Sequence, residues 1–192
     1  MRLIPLSLLI AAVALSAATA KPHVYRNDEF GITVPVPQGA LLCPLPDDEH
    51  DHGPVFLLGT TDARSCRDDI ERHRYIDVFA SYQTDDTKRL RDFLKWECNG
   101  PCRPAPGGLR VPGLRSASAR ADRPGGWIEM IVVTQAGTPD PDFDASVPSV
   151  NFDLSLHTKP DHLAADLRVF RTVLQTIRLS PPPPPSAAKP RP

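Results

Sequence analysis

The densest group of metal-ligating side chains lies in residues 47–53, which read DDEHDHG. Imidazole and carboxylate groups are natural ligands of zinc, and imidazole also binds copper. In an extended segment His50 and His52 point to the same side, because side chains alternate along a strand. The pattern predicts a zinc or copper site formed by His50, His52 and Asp48, with a further ligand from elsewhere in the chain. A solvated acidic loop without a metal is the alternative interpretation.

Asp153 and His157 are a second pair of residues whose side chains could take part in catalysis. They lie on one side of a predicted strand. An Asp and a His so placed can form a polar pocket or an acid–base pair. A hydrolase also needs a nucleophile, and the sequence contains neither a G-x-S-x-G elbow nor a glycine-rich phosphate loop. The glycine pairs at 107–108 and 125–126 are interpreted as turns. The sequence therefore predicts no catalytic residues and no enzyme, with a hydrolase as an alternative.

The four cysteines are Cys43, Cys66, Cys98 and Cys102. They allow three disulfide pairings, among which the sequence alone does not choose. We favour Cys43–Cys66 and Cys98–Cys102, because the Asn-Gly-Pro segment at 99–101 suits the tight turn that the shorter pair needs. A redox or copper site at the C-x3-C motif is the alternative, although thioredoxin-like motifs have two intervening residues rather than three.

Residues 1–20 have the pattern of a secretory signal peptide. Arg2 provides the positive start, residues 3–15 are apolar, and Ala18-Thr19-Ala20 is an A-x-A cleavage site. The apolar run is shorter than the roughly 20 residues that a membrane anchor needs. We therefore expect a periplasmic or secreted protein that has no membrane span after leader removal and is exported to a compartment where disulfides form.

The remaining chain divides into one domain and a tail. The sequence predicts a single α+β domain over residues 21–180, and residues 181–192, rich in proline, predict a disordered tail. The formal net charge of the 192-residue chain is −1. This balance excludes a global positive field of the kind that recruits nucleic acid or an anionic membrane.

Alternation of apolar and polar residues predicts the strands. These strands cover residues 30–36, 55–58, 75–82, 114–121, 127–134 and 150–157. The fourth and fifth form a predicted hairpin around Pro124-Gly125-Gly126. In the last strand the pattern predicts that the apolar side chains face the core and that the polar ones, Asn151, Asp153, Ser155 and His157, face outward.

Helical spacing of apolar residues predicts two helices, at residues 85–98 and 160–179. The fold class expected is therefore α+β, a mainly antiparallel sheet with two principal helices packed on it and disulfide bonds joining its loops. Trp96 falls off the apolar stripe of the first helix, and Trp127 opens a strand. Core packing or partial burial of both tryptophans is the prediction, because tryptophan is highly buried on average, and a partner-facing anchor is the alternative.

The opening segment Tyr25–Pro35, YRNDEFGITVP, resembles the start of PsbP-like α/β/α sandwich domains. Their last strand and long closing helix are similar to residues 150–179 here, so the resemblance covers most of residues 24–179. It implies a non-catalytic protein, because such domains serve mainly as assembly factors, subunits or chaperones. We therefore expect an exported binding domain of the bacterial cell envelope that engages another envelope protein and needs no cofactor. A periplasmic zinc- or copper-binding protein is the alternative.

Overall fold

A seven-stranded antiparallel sheet forms the body of the computed structural model, which describes residues 23–43, 51–66, 70–83, 89–136 and 150–180. The predicted leader and the predicted tail lie outside these residues. Within them the elements are β1 Val24–Asn27, β2 Ile32–Pro35, β3 Ala40–Cys43, β4 Val55–Leu58, β5 Arg74–Tyr82, α1 Leu90–Cys98, β6 Cys102–Pro104, β7 Ser116–Arg123, β8 Trp127–Ala136, β9 Val150–Thr158, α2 Leu163–Thr176 and β10 Arg178–Leu179.

The strand order of the large sheet is β3-β4-β5-β9-β8-β7-β6, and a smaller sheet has the order β1-β2-β10. The strand pairings among the described residues are antiparallel. β7 and β8 form the predicted hairpin, with Arg123 opposite Trp127 beside the turn. The longest strands, β5, β8 and β9, occupy the centre of the large sheet. Together with the two helices, this arrangement confirms the expected α+β class.

One face of the large sheet, called here the α2 face, carries the larger core. Side chains of β5, β8 and β9 such as Val78, Met130 and Leu154 are fully buried there, together with Phe170 and Leu174 of α2. The smaller sheet closes the same core, because α2 also packs against β2. α2 is shorter than the predicted helix at 160–179, since its last predicted residues turn into β10 and pair with β2.

The opposite face, called here the α1 face, is also covered, as the resemblance to α/β/α sandwich domains implies. Phe93 of α1 packs on Ala119, Ala121, Ile131 and Val133 of the hairpin. The helix observed, Leu90–Cys98, lies within the predicted 85–98. The structure does not describe residues 84–88.

The prediction that the polar residues of β9 point to solvent is wrong for Asn151, Ser155 and His157, all of which are buried. Alternation separates the two faces of a strand, but it does not report whether a distant segment covers the polar one. Here α1 covers neighbouring residues of β7 and β8 on that face, and the rings of Tyr75 and Trp127 stack on His157. The polar side chains of β9 are therefore part of the interior.

Both favoured disulfides are present: Cys43 bonds to Cys66 and Cys98 bonds to Cys102, with Cα–Cα distances of 5.3 Å and 5.9 Å. The first joins the edge strand β3 to a 3-10 turn, and the second joins the end of α1 to β6. Both bonds therefore lie at the margins of the large sheet. Within the described part of the chain, no helix is long and apolar enough to cross a membrane.

Candidate functional site

Of the residues predicted to bind a metal, only His52 lies in the described part of the chain. His50 and Asp48 fall outside it. His52 Nδ1 lies 2.9 Å from the backbone oxygen of Ala80, and its ring stacks between Phe30 and Phe79 at centroid distances of 5.3 Å and 4.9 Å. Across the ranges that the structure describes, no group of three His, Cys, Asp or Glu side chains is placed to hold a metal ion.

The polar residues of the α1 face are brought together by strand register. β5 and β9 set Asp77 opposite Ser155 and Tyr75 opposite His157. On the other side of β9, strand β8 sets Glu129 opposite His157. Side chains of directly paired residues share one face of the sheet, so these five groups form a continuous polar surface.

Four carboxyl groups form what we call the acidic cluster: Asp77, Glu97, Glu129 and Asp153. Asp153 lies two residues before Ser155 on the same side of β9, which makes it a diagonal neighbour of Asp77. Glu97 comes from α1, next to the disulfide-bonded Cys98. Only Asp153 of these four residues could be singled out from the sequence, because their proximity depends on the order of strands in the sheet.

Three members of the acidic cluster, Asp77, Glu97 and Asp153, hold their protons more tightly than isolated carboxyl groups do. Burial raises the pKa of Asp77 to about 7, and the charge of Glu129 acts in the same direction. Burial likewise raises the pKa of Glu97 to about 7, reinforced by the charges of Glu129 and Asp77. The pKa of Asp153 is raised well above its ordinary value, first by burial and then by the other three carboxylates. The cluster therefore exchanges protons near neutral pH.

Arg123 connects the acidic cluster to α1. Its guanidinium forms an ion pair with Glu129. The same group donates to the last carbonyl groups of the helix, from Nη1 to Cys98 O at 2.8 Å and from Nη2 to Glu97 O at 3.3 Å. A cation at a helix C-terminus is favourable because the carbonyl groups there have no intrahelical partner. Arg123 thus holds the end of α1 on the sheet.

His157 is enclosed by a column of stacked side chains. Its ring lies 4.9 Å from that of Tyr75 and 4.4 Å from that of Trp127, and Lys159 Nζ lies 3.9 Å from the Trp127 ring. Only 8% of His157 is exposed. Burial lowers its pKa from the ordinary value, because the charged form is poorly solvated there. Near neutral pH this favours an uncharged imidazole.

The hydrolase alternative predicted an acid–base pair at Asp153 and His157. The structure places both on the α1 face with Ser155 between them, but Asp153 Oδ1 and His157 Nε2 are buried atoms with no hydrogen-bond partner among the described residues. Among the described residues, His157 Nε2 therefore accepts no hydrogen bond from a nucleophile. Nucleophilic catalysis by a Ser–His pair depends on such a bond, and the described residues do not form it at Nε2.

The outer surface of α1 differs from the prediction. Trp96 is 67% exposed, so its predicted burial is wrong. The helix turns its apolar stripe of Leu90, Phe93 and Leu94 toward the hairpin, which leaves Trp96 on the solvent side. The second tryptophan, Trp127, is partly buried in the His157 column.

A groove of about 410 Å³ lies between α1 and the edge strand β6. Its floor includes Leu94, Pro104 and the Cys98–Cys102 disulfide, and its basic residues are Arg91, Lys95 and Arg103. No carboxylate lines it, although Asp122 forms an ion pair with Arg103 at 2.9 Å. Trp96 lies on the same helix but is not among the residues that line the groove. We refer to the groove together with Trp96 as the α1 surface. It is basic and has an exposed aromatic side chain.

Two solved structures have folds similar to this chain. LpqN, involved in cell envelope biogenesis of Mycobacterium tuberculosis, has a TM-score of 0.48 and 13% identity over 85% of this chain and 88% of that chain. Cyanobacterial PsbP (CyanoP) from Synechocystis sp. PCC 6803 has a TM-score of 0.46 and 15% identity over 85% of this chain and 95% of that chain. A PsbP structure is thus among the similar folds, as the sequence resemblance predicts, and the likeness concerns the fold alone. No protein-family model and no curated protein matches the sequence.

Proposed function

We propose that the chain is an exported, non-catalytic binding domain of the bacterial cell envelope, and that it engages an acidic segment of another envelope protein through the α1 surface. Two disulfides support an oxidising compartment, since thiols are kept reduced in the cytosol. The leader pattern of residues 1–20 supports export. The exposure of Trp96 is the observation that carries the proposal of a binding surface.

Trp96 is suited to anchor a partner. Tryptophan is enriched among the few residues that carry most of the energy of a protein interface, and leaving its large apolar surface in water is unfavourable. α1 is also fixed in position, because the Cys98–Cys102 bond and the hydrogen bonds from Arg123 hold its C-terminal end. A fixed helix loses little conformational entropy when it binds, which favours affinity.

The positive charge of the α1 surface indicates which kind of partner binds there. Arg91, Lys95 and Arg103 line the groove without a carboxylate among its lining residues. Exposed Arg89 adds a further cation at the start of the helix. Complementary potentials steer association and disfavour partners of the same sign, so an acidic segment fits this surface and a basic one does not.

The experiment is quantitative affinity capture from cell-envelope extract, followed by direct binding measurements with the purified protein that is captured. The bait variants are Trp96→Ala, the charge reversal Lys95→Glu, and Thr172→Ala as a control on the exposed side of α2. We expect one protein to bind the wild type and the control equally. Its affinity is expected to fall about tenfold or more for Trp96→Ala, as for an interface anchor.

The Lys95→Glu variant tests the acidic chemistry of the partner. Relative to the wild type, this variant is expected to lose most affinity for the partner at low salt, where opposite charges attract over longer distances. Capture that is equal for the wild type and both α1 variants would overturn the α1 surface as the binding site. Each variant changes an exposed side chain, and its circular dichroism spectrum checks that the domain remains folded.

Zinc or copper binding by His50, His52 and Asp48 is a second candidate. The hydrogen-bonding position of His52 Nδ1 next to the Ala80 carbonyl favours it, because ligating histidines commonly donate one ring N–H to such a carbonyl. Native mass spectrometry with added zinc or copper tests it. One tightly held ion, lost in His50→Ala/His52→Ala, is the result expected for this candidate, and an ion-free wild type would contradict it.

A further inference from the structure

A pocket between α2 and the loop at 105–115 has features of an anion site that the α1 surface does not involve. Its volume is about 280 Å³, near the lower end of the range for small-molecule pockets. The residues that line it include Gly107, Gly108, Arg110, Arg171, Leu174 and Gln175. The sequence pattern marked residues 107–108 only as a turn.

The helix presents three of these residues on one side. Arg171, Leu174 and Gln175 have spacings of three and four residues, which place them on a common helical face. Leu174 is buried and forms an apolar base, whereas Arg171 and Gln175 are exposed beside it. The polar groups therefore stand above an apolar floor at the mouth of the pocket.

Gly107 allows the Arg171 guanidinium to approach the loop. Gly107 has a φ of +76°, and a Cβ atom added to it would lie 2.8 Å from Arg171 Nη2. A side chain at this position would be strained by its own backbone and would crowd the guanidinium. Because position 107 is glycine, Arg171 can lie directly against the backbone of the loop that also carries Arg110.

The pocket has positive charge without a matching negative charge. Residues 105–116 and 163–176 contain four arginines and a single acidic residue, Asp166. Asp166 is buried and bonded to Arg74. Among the residues that the structure describes, neither Arg110 nor Arg171 forms an ion pair. Two guanidinium groups thus border one small pocket with no carboxylate to neutralise them.

We propose that this pocket binds a phosphate group, either free or carried by a soluble molecule or a lipid headgroup. Guanidinium groups donate paired hydrogen bonds whose geometry matches phosphate oxygens. The Gln175 amide can supply a further donor, and Leu174 can contact the apolar part of an attached group. The site lies on the α2 side of the sheet and is independent of the proposed α1 surface.

Titration calorimetry with inorganic phosphate tests the phosphate chemistry. The protein variants are Arg171→Gln and Arg110→Gln, with Arg168→Gln as the matched control, since Arg168 is an exposed arginine one helical turn away that does not line the pocket. We expect saturable binding to the wild type and the control. The affinity should fall about tenfold or more in each pocket variant, because each removes charge-assisted hydrogen bonds.

Vesicle flotation separates the two sources of phosphate. Vesicles of phosphatidylcholine alone are compared with vesicles that also contain phosphatidylglycerol. Retention on the anionic vesicles that Arg171→Gln abolishes and Arg168→Gln keeps supports a lipid headgroup. Phosphate binding without vesicle retention supports a soluble ligand. If the wild type binds neither probe, or if both pocket variants bind as well as the wild type, the proposal is overturned.

Discussion

Burial changes what the carboxyl groups of the acidic cluster can do at neutral pH. With a pKa of about 7, Asp77 and Glu97 are each present in both charged and protonated forms under physiological conditions. A protonated carboxyl group donates a hydrogen bond, and a charged one repels its neighbours. The cluster therefore links the charge beneath α1 to pH, while Arg123 bridges Glu129 and the end of the helix.

The cluster predicts that stability falls as pH rises through the acidic range. Asp77 titrates at about 7 in the folded protein and has an ordinary value of 3.8. Between these values the folded state keeps a proton that the unfolded state releases, so the free energy of unfolding declines with rising pH and levels off above 7. In Asp77→Asn the free energy of unfolding should depend less steeply on pH, by the amount that corresponds to about one bound proton. Urea unfolding measured from pH 4 to pH 8 tests this.

Asp122→Asn is the matched control for this measurement. Asp122 is an exposed carboxylate that pairs with Arg103 and Arg120 at the surface. Surface ion pairs contribute about 0–1 kcal/mol, so the control should change the slope little. A slope in Asp77→Asn equal to that of the wild type would contradict the raised pKa of Asp77.

Among the elements, local patterns predicted those whose signal lies within one segment. The β7–β8 hairpin follows from two β-prone runs around Pro124-Gly125-Gly126, and β9 follows from its alternation. The burial of the polar side of β9 could not be predicted, because it depends on neighbouring strands and on α1. β3, β6 and β10 are short, and tertiary pairing rather than sequence pattern defines them.

The candidate sites, like the elements, could be predicted only where the signal lies within one segment of the sequence. The favoured cysteine pairing was correct, although the sequence allows three pairings, because one pair is close in sequence and spans a turn-forming segment. The acidic cluster was not, since Asp77, Glu129 and Asp153 belong to three strands whose order in the sheet is not local information. The exposure of Trp96 was predictable in principle, because Trp96 falls off the apolar stripe of Leu90, Phe93 and Leu94 that meets the hairpin. The average burial of tryptophan favoured the wrong prediction.

α2 is tied to the sheet by a buried ionic contact that predicts a large mutational effect. Arg74 Nη1 donates to Asp166 Oδ1 and Oδ2 at 2.7 Å and 2.9 Å, and Thr158 donates to Oδ2 at 2.5 Å. Asp166→Ala leaves Arg74 without its carboxylate partner. Removing one partner of a buried ion pair should lower the free energy of unfolding by about 3 kcal/mol. Urea denaturation measures this loss.

Asp161→Ala provides the comparison for Asp166→Ala. Asp161 lies just before α2, but its side chain is 75% exposed and is 3.6 Å from His162. Surface substitutions of this kind usually change stability by less than about 0.5 kcal/mol. Similar losses in the two variants would contradict the role of Asp166 in holding α2 on the sheet.

Over the whole molecule, the two proposed binding surfaces belong to opposite layers. Trp96 and the basic groove lie with α1 on one face of the large sheet, and the Arg110–Arg171 pocket lies with α2 on the other. A protein partner at α1 therefore does not cover the phosphate site. Taken together, the two proposals describe a domain that joins an acidic protein segment to a phosphate-bearing molecule on opposite faces of one sheet.

The two disulfides predict different losses of stability for the whole domain. A bond that closes a longer loop restricts the unfolded chain more, so removing Cys43–Cys66, with a separation of 23 residues, should cost about 3 kcal/mol. Removing Cys98–Cys102, with a separation of 4, should cost about 2 kcal/mol. Urea unfolding of the two double alanine variants measures both values, and a larger loss for the shorter loop would contradict the chain-entropy argument.

The shorter bond has a second expected effect, because it fixes the end of α1. Replacing Cys98 and Cys102 with alanine should weaken binding of the α1 partner although Trp96 remains, since a mobile helix end must be ordered again on binding. Replacing Cys43 and Cys66 should lower stability more but leave that affinity unchanged at a temperature where both variants are folded. Equal affinities for the two double variants would show that the affinity of the partner does not depend on the fixed end of α1.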